Sequence, residues 1–415
     1  MKKKLALFCL FGFFTFPLCS ESKQQIRLHP DDSKIIPSSD VFYSRVLPGL
    51  KGKKTLLVTN PSGIGINPNR IKSEFSKQGV ILSQLIGLEH GFFGLEEEFN
   101  KSPVTLDSTF DLPIYHIYKL STSDLLKVVQ ESEAIVFDVQ GMGMRCYTYL
   151  TVLKRLMDAS AGRKIRFVVL DHISPSMHLG GQGDFVEKAY QNFAGEFPSP
   201  LFTGLTLGEA ALFYNAEYLK KKVDLEVVPV GEYKRGTLME NAGIPWNTPS
   251  PNLPNLDSAR NYFSLVFLEG VNVSVGRGTQ APFVYFGAPW MEQPEKFAEE
   301  LNKSSNKEYY FTPVYFKPTF GPHTGKICKG LRMNLVNPNY DPLKLTYNLI
   351  ATMKRIYSKD FAWTKWSKIY SIDYLWGNPK LRVAIDDAES FENFAKTFKE
   401  KEAKYNSRAK LYWLY

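Results

Sequence analysis

The chain has 415 residues, of which 44% are apolar, 14% aromatic and 22% charged, a composition that excludes a largely disordered chain and a small disulfide-held scaffold. At about 100–200 residues per domain the length predicts two or three domains. Lys and Arg outnumber Asp and Glu by 51 to 42, giving +9; this favours anionic partners in general, but no dense basic block marks a nucleic-acid site and none is expected.

In chain order, Met1-Lys2-Lys3-Lys4 leads into an apolar run from Leu5 to Leu18. A basic head before a short apolar run is the pattern of a secretory signal peptide, and residues 1–22 are read as one, with Ser20-Glu21-Ser22 offering small residues for cleavage. The run is shorter than the roughly 20 residues a bilayer span needs. Cys19 is the rival feature, a candidate for lipid attachment, although the bulky Leu18 before it fits that poorly. The mature protein is therefore expected outside the cytoplasm, periplasmic and soluble or held by an N-terminal lipid tether. Cys9 falls inside the signal, leaving Cys146 and Cys328, which export would permit to pair and which are more simply read as two buried thiols. No CxxC pair or zinc-type Cys/His spacing occurs, so no metal is expected, and no organic cofactor is indicated.

Residues 24–44 read as a polar leader without a core of its own. Near-continuous apolar runs then follow at Leu56–Val58, Val80–Leu82, Ile114–Ile117, Ala134–Phe137 and Phe167–Leu170. They are separated by helical patterns such as Ser123–Glu131 and Thr148–Ala161. This rhythm predicts an α/β fold, a Rossmann-like, mostly parallel sheet with helices on both faces, over residues 45–264. From Leu265 the chain turns to aromatics, prolines and extended segments, predicting a second, smaller α+β domain over 265–415. The join is expected near the proline-rich stretch Pro245–Pro254.

Open parallel sheets bind ligands beyond the carboxyl ends of their strands. Here those ends deliver Asn60, Glu89 with His90, Asp138, and Asp171 with His172 to one edge. Carboxylates at a concave, partly dry edge can acquire the raised pKa that proton donation requires. Each residue also has a structural use: Asp after a strand often caps a helix or binds loop amides, and Thr206-Leu207-Gly208-Glu209 fits a helix capping box.

The ordered segments Leu57–Gly63, Glu89–Phe92, Phe137–Gln140, Arg145–Tyr149, Val169–Asp171, Leu205–Glu209, Pro249–Pro254, Leu268–Thr279, Pro282-Phe283 and Gly287–Trp290 resemble the bacterial exo-β-N-acetylmuramidases over roughly residues 45–380. The resemblance implies an exported glycoside hydrolase that releases N-acetylmuramic acid from non-reducing ends of peptidoglycan fragments, with Glu89 as a principal catalytic carboxylate. Glycoside hydrolysis usually needs a second carboxylate, for which Asp138, Asp171 and Glu209 are candidates, the capping box being the rival use of Glu209. Asn60, His90, Arg145, Tyr147, Asn252 and Arg277 are candidate substrate contacts; a guanidinium fork suits the lactyl carboxylate of the sugar.

The chain also departs from the family pattern. Where Asp-Arg-Pro-Asn-Pro is usual it has Asp171-His172-Ile173-Ser174-Pro175; Gly141 and Gln182 stand where acids are usual, Thr203-Gly204 where His-Gly is, and Phe93 where Arg is. If these positions touch the sugar, contacts are lost, and the alternative is a weak or inactive cell-wall sugar-binding protein on the same fold. No G-x-G-x-x-G, Walker A or G-x-S-x-G sequence supports a nucleotide enzyme or a serine hydrolase.

Overall fold

The computed structural model describes residues 35–95 and 102–415; the expected signal peptide and Cys19 lie outside the described residues. The strands of the first part are β1 (Lys54–Thr59), β2 (Ile81–Gly87), β3 (Val104–Asp107), β4 (Leu112–His116), β5 (Ala134–Asp138), β6 (Arg166–Leu170), β7 (Gly181–Phe185), β8 (Pro200–Thr203) and β9 (Asp224–Val228). Strands β7 and β8 pair with each other, and the rest form a seven-stranded sheet in the order β3-β4-β2-β1-β5-β6-β9. Every neighbouring pair is parallel except β3–β4, at one edge.

Successive residues of a strand point to opposite faces, and both faces are covered, which is why the strands read as unbroken apolar runs. Leu56, Val58, Ile135, Phe137, Phe167 and Val169 enter one core; Leu57, Val136, Val168 and Leu170 enter the other. Fully burying each such side chain stabilises the fold by roughly 1.5–3 kcal/mol. The predicted helices form at Thr122–Gln130 and Tyr149–Ser160. On the second face, Ile71 and Phe75 of the helix Pro68–Lys77 pack beside Val41, Phe42 and Tyr43. The supposed leader thus ends too late: its last residues lie in the core because Val41-Phe42-Tyr43 supplies three apolar side chains in a row. The short, largely exposed β3 and the half-exposed β9 were not anticipated.

The second part holds an antiparallel sheet, β10 (Tyr285–Ala288), β11 (Tyr309–Phe316) and β12 (Cys328–Leu335), in the order β10-β12-β11. Around it lie the helices Leu256–Leu265, Pro294–Asn302 and Pro342–Ile356. The long helix Phe391–Ala409 returns to the first part. There Glu402 accepts from the Gly183 amide, Asn406 donates to the Gly181 carbonyl, and Tyr405 donates to the Thr203 carbonyl. One continuous apolar core spans both parts. Among the described residues no helix is long and apolar enough to cross a membrane. Cys146 and Cys328 are free, buried thiols.

Candidate active site

Two of the cavities at the strand ends hold the candidate carboxylates, Glu89 in one and Asp138 in the other. From β1, strands β2 and β4 lie to one side and β5, β6 and β9 to the other, so β1 and β5 flank the point where the topology reverses. Asn60 follows β1 and is buried. Its Nδ2 donates to the Tyr149 hydroxyl at 2.8 Å and to the Pro249 carbonyl at 3.4 Å. Its Oδ1 accepts from the amide and hydroxyl of Ser62, and Ser62 Oγ accepts from the Gln140 amide. These bonds tie the proline-rich stretch to the sheet and make a wall. Asn60 is fully occupied in that wall, which removes it from the substrate contacts.

On one side of the wall a cavity of about 320 Å³ lies between the two parts, lined by Glu89, His90, Tyr147, Tyr262, Glu269 and Arg277 among others. Glu89 follows β2 and is partly exposed; its Oε2 accepts from Thr148 Oγ1 at 3.2 Å, and that hydroxyl also bonds the Tyr118 phenol. His90 Nε2 sits 2.8 Å from Ser250 Oγ, so the proline-rich stretch orients the imidazole. Glu269, on the turn Val266–Gly270, accepts from Arg277 Nε at 2.7 Å. Burial works against the Arg277 cation, but Glu269 and then Glu89 outweigh it and keep the guanidinium charged. Its planar group also lies over the Phe283 ring, 5.0 Å from the centroid.

The phenols of Tyr118, Tyr147 and Tyr262 are pushed well above their usual range, first by burial and further by the negative charge of Glu89, so they stay neutral hydrogen-bond groups. Burial likewise raises the Cys146 thiol to about 12, which leaves it protonated and a poor nucleophile. The cavity therefore combines two carboxylates, one cation and neutral aromatic walls, a set of groups that can bind a polar ligand and serve acid–base chemistry.

The structure brings together Glu89, His90, Tyr147 and Arg277. Glu269 was overlooked, because the reading followed strand ends and this residue comes from a turn; its signal was the Glu-to-Arg pairing inside the longest matched segment, Leu268–Thr279.

The other candidates are elsewhere. Asp138 is fully buried across the wall, where its Oδ2 accepts from the Ile64 amide and its Oδ1 meets His172 Nε2, both at 2.6 Å. It lines a second cavity, of about 290 Å³, with His172 and Arg70, and does not line the cavity of Glu89. Asp171 is a helix anchor: Oδ1 accepts from the Gly208 amide, and Oδ2 from the hydroxyls of Thr206 and Tyr415. Both oxygens are committed at the start of the helix Leu207–Glu217, and Asp171 lines the other cavity, not that of Glu89. Arg145 is completely buried and donates to the carbonyls of Asp184, Ser199 and Trp376, so it staples loops rather than reaching a sugar. Asn252 is buried, and its side chain lines neither cavity.

The departures from the family pattern fall outside the Glu89 cavity too. Gln182 pairs in the β7–β8 ladder, and Thr203 Oγ1 bonds the carbonyls of Gly143 and Leu205. A Cβ at Gly141 would meet Leu207 at 2.7 Å. His172 faces the other cavity. The expectation that these changes strip contacts from the Glu89 site is thus not met. Among the described residues no group of three or more His, Cys, Asp or Glu side chains is placed to hold a metal ion.

Against known proteins, residues 55–257 match the model of the N-terminal part of exo-β-N-acetylmuramidase NamZ, and residues 260–415 match that of its C-terminal part. A peptidoglycan β-N-acetylmuramidase NamZ of Bacillus subtilis strain 168 is 29% identical over 409 residues, covering 98% of this chain and 97% of the relative. Two solved DUF1343 family proteins of Bacteroides fragilis NCTC 9343 share the fold. One has a TM-score of 0.80 at 26% identity over 93% of this chain and all of that one. The other scores 0.69 at 25% identity, over 92% and 99%.

Proposed function

Because the chain belongs to the exo-β-N-acetylmuramidase NamZ family, we propose that its Glu89 cavity hydrolyses the β-glycosidic bond of N-acetylmuramic acid at the non-reducing end of peptidoglycan fragments. The observation that carries this reading is the pairing of Glu89 and Glu269 in one cleft beside Arg277. Glu269 accepts from Arg277 Nε, which fixes its carboxylate beside the cation. Glu89, held by the Thr148 hydroxyl at the partly exposed face of the cleft, takes the role of the group that protonates the leaving glycosidic oxygen in this reading. The C1–O bond breaks as that proton arrives, water adds to C1, and its proton returns to a carboxylate. The charged end of Arg277 offers the sugar's lactyl carboxylate a partner, and the ring of Tyr147 supplies an apolar wall.

The same reading makes the protein exported, on the support of the basic head and apolar run of residues 1–18, with Cys19 as the position where a lipid would tether it.

The test is release of chromophore from a chromogenic β-N-acetylmuramic acid glycoside. Glu89→Gln and Glu269→Gln are each expected to lower turnover by about 10²–10⁴-fold with unchanged circular dichroism. Full turnover by Glu89→Gln would refute the assignment. Muropeptide binding by the parent chain without any release would make it a sugar-binding member instead.

A further inference from the structure

The second cavity stands on its own side of the Asn60–Pro249 wall, beyond the carboxyl ends of β1 and β5. That is the topological switch point, where sheets of this kind usually take their ligands. At about 290 Å³ it is close to the lower bound of small-molecule sites, about 300 Å³. Its body is apolar, with Ile64, Ile173, Val230 and Ile244 among the lining residues.

Its acidic groups are spent. Asp138 is shared between the Ile64 amide and His172, and Asp171 is held by the helix it caps. What is left uncommitted is donating or positive. His172 bonds Asp138 through Nε2, and among the described residues its Nδ1 has no partner. Tyr43, at the cavity wall, carries a buried hydroxyl with no hydrogen bond. Arg70 lies over the Tyr43 ring, 4.2 Å from the centroid, and among the described residues its ion pair is a loose, exposed contact of 3.7 Å with Asp40. Arg70 and Asn67 belong to the first turn and cap of the helix Pro68–Lys77, whose amino end adds positive potential.

We infer that this cavity is a second ligand site, for a small monocarboxylate with an apolar body, such as an N-acylated amino acid. The carboxylate meets His172 and Arg70, and the apolar body lies against the isoleucines.

The charge on His172 sets the pH dependence. Burial disfavours the imidazolium, but the hydrogen bond and charge of Asp138, with the charge of Asp171, outweigh it and raise its pKa above the ordinary value. Of the other charged groups around the cavity, Asp40 contacts Arg70 on its solvent side, and Glu74 acts on Tyr43, whose phenol burial keeps neutral. Binding of an anion is therefore strongest with His172 protonated and weakens as the pH rises through that raised value.

Calorimetric titration of the full chain with N-acetylleucine, and with N-acetylleucinamide as the uncharged control, tests this at about pH 6 and about pH 9. Saturable binding of the acid is expected at the lower pH, about tenfold or more tighter than the amide and than the acid at the higher pH. His172→Gln and the exposed-site variant Arg70→Gln should each weaken it by about fivefold or more, and Glu89→Gln should bind it like the parent chain. Equal binding of acid and amide, loss in Glu89→Gln with none in Arg70→Gln, or no saturable heat at millimolar ligand would overturn the proposal.

Discussion

Three strand-end or loop residues of similar chemistry meet different fates, and their neighbours decide which. Arg145 donates to three backbone carbonyls, and burial, only partly opposed by charges such as that of Asp184, lowers its pKa to about 10. Removing it leaves those carbonyls without donors, at about 1–3 kcal/mol each. Arg145→Met should therefore lower unfolding free energy in urea by about 3 kcal/mol or more, with turnover per folded molecule retained. His172 makes a pH-dependent contribution of definite sign. Its pKa rises on folding from the ordinary 6.5, so the stability it adds is complete below about pH 6.5 and is lost as the pH climbs through the folded value. Urea midpoints measured across neutral to alkaline pH should fall for the parent chain and stay flatter for His172→Gln. Sequence chemistry names such residues as candidates and cannot see their partners: Asp138, Asp171 and Glu89 are alike until the atoms around them are known.

At the scale of elements, the strands were legible because a sheet covered on both faces demands unbroken apolar runs, as in Ala134–Phe137 and Phe167–Leu170. The edge strand β3 bears mostly exposed or half-exposed residues and carries no such signature. The capping box of the helix Leu207–Glu217 was legible as well: Thr206 Oγ1 accepts from the Glu209 amide, and Glu209 accepts from the Thr206 amide. What the pattern could not disclose is that the same cap receives Asp171 from β6. Thr206→Ala removes the acceptor of the Glu209 amide and the hydroxyl that donates to Asp171, and should cost about 1–2 kcal/mol in chemical unfolding. At Gly63 the close approach is to Asp138, whose carboxylate would lie 2.5 Å from an added Cβ. Gly63→Ala should destabilise by about 1–3 kcal/mol and weaken the His172 pair with it.

At the scale of the molecule, the two parts depend on each other. The Glu89 cavity draws Glu269, Arg277 and Phe283 from beyond the proline-rich stretch and Glu89 and His90 from the sheet edge. The chain's last residues also return to the sheet: the Leu414 amide donates to Glu209, and the Tyr415 hydroxyl bonds both Asp171 and the Val230 amide. The rule that ligands bind past strand ends points to the edge where both cavities lie. It did not reveal that a wall from Asn60 to Pro249 splits that edge in two, since the wall's far side comes from a segment 189 residues along the chain. The most direct measurement of the central claim is a crystal structure of Glu89→Gln soaked with a peptidoglycan disaccharide ending in N-acetylmuramic acid. The account predicts the muramyl ring between positions 89 and 269, its glycosidic oxygen within hydrogen-bonding distance of the introduced amide. A ring seated outside that cleft, or turned with its glycosidic oxygen away from position 89, would contradict it.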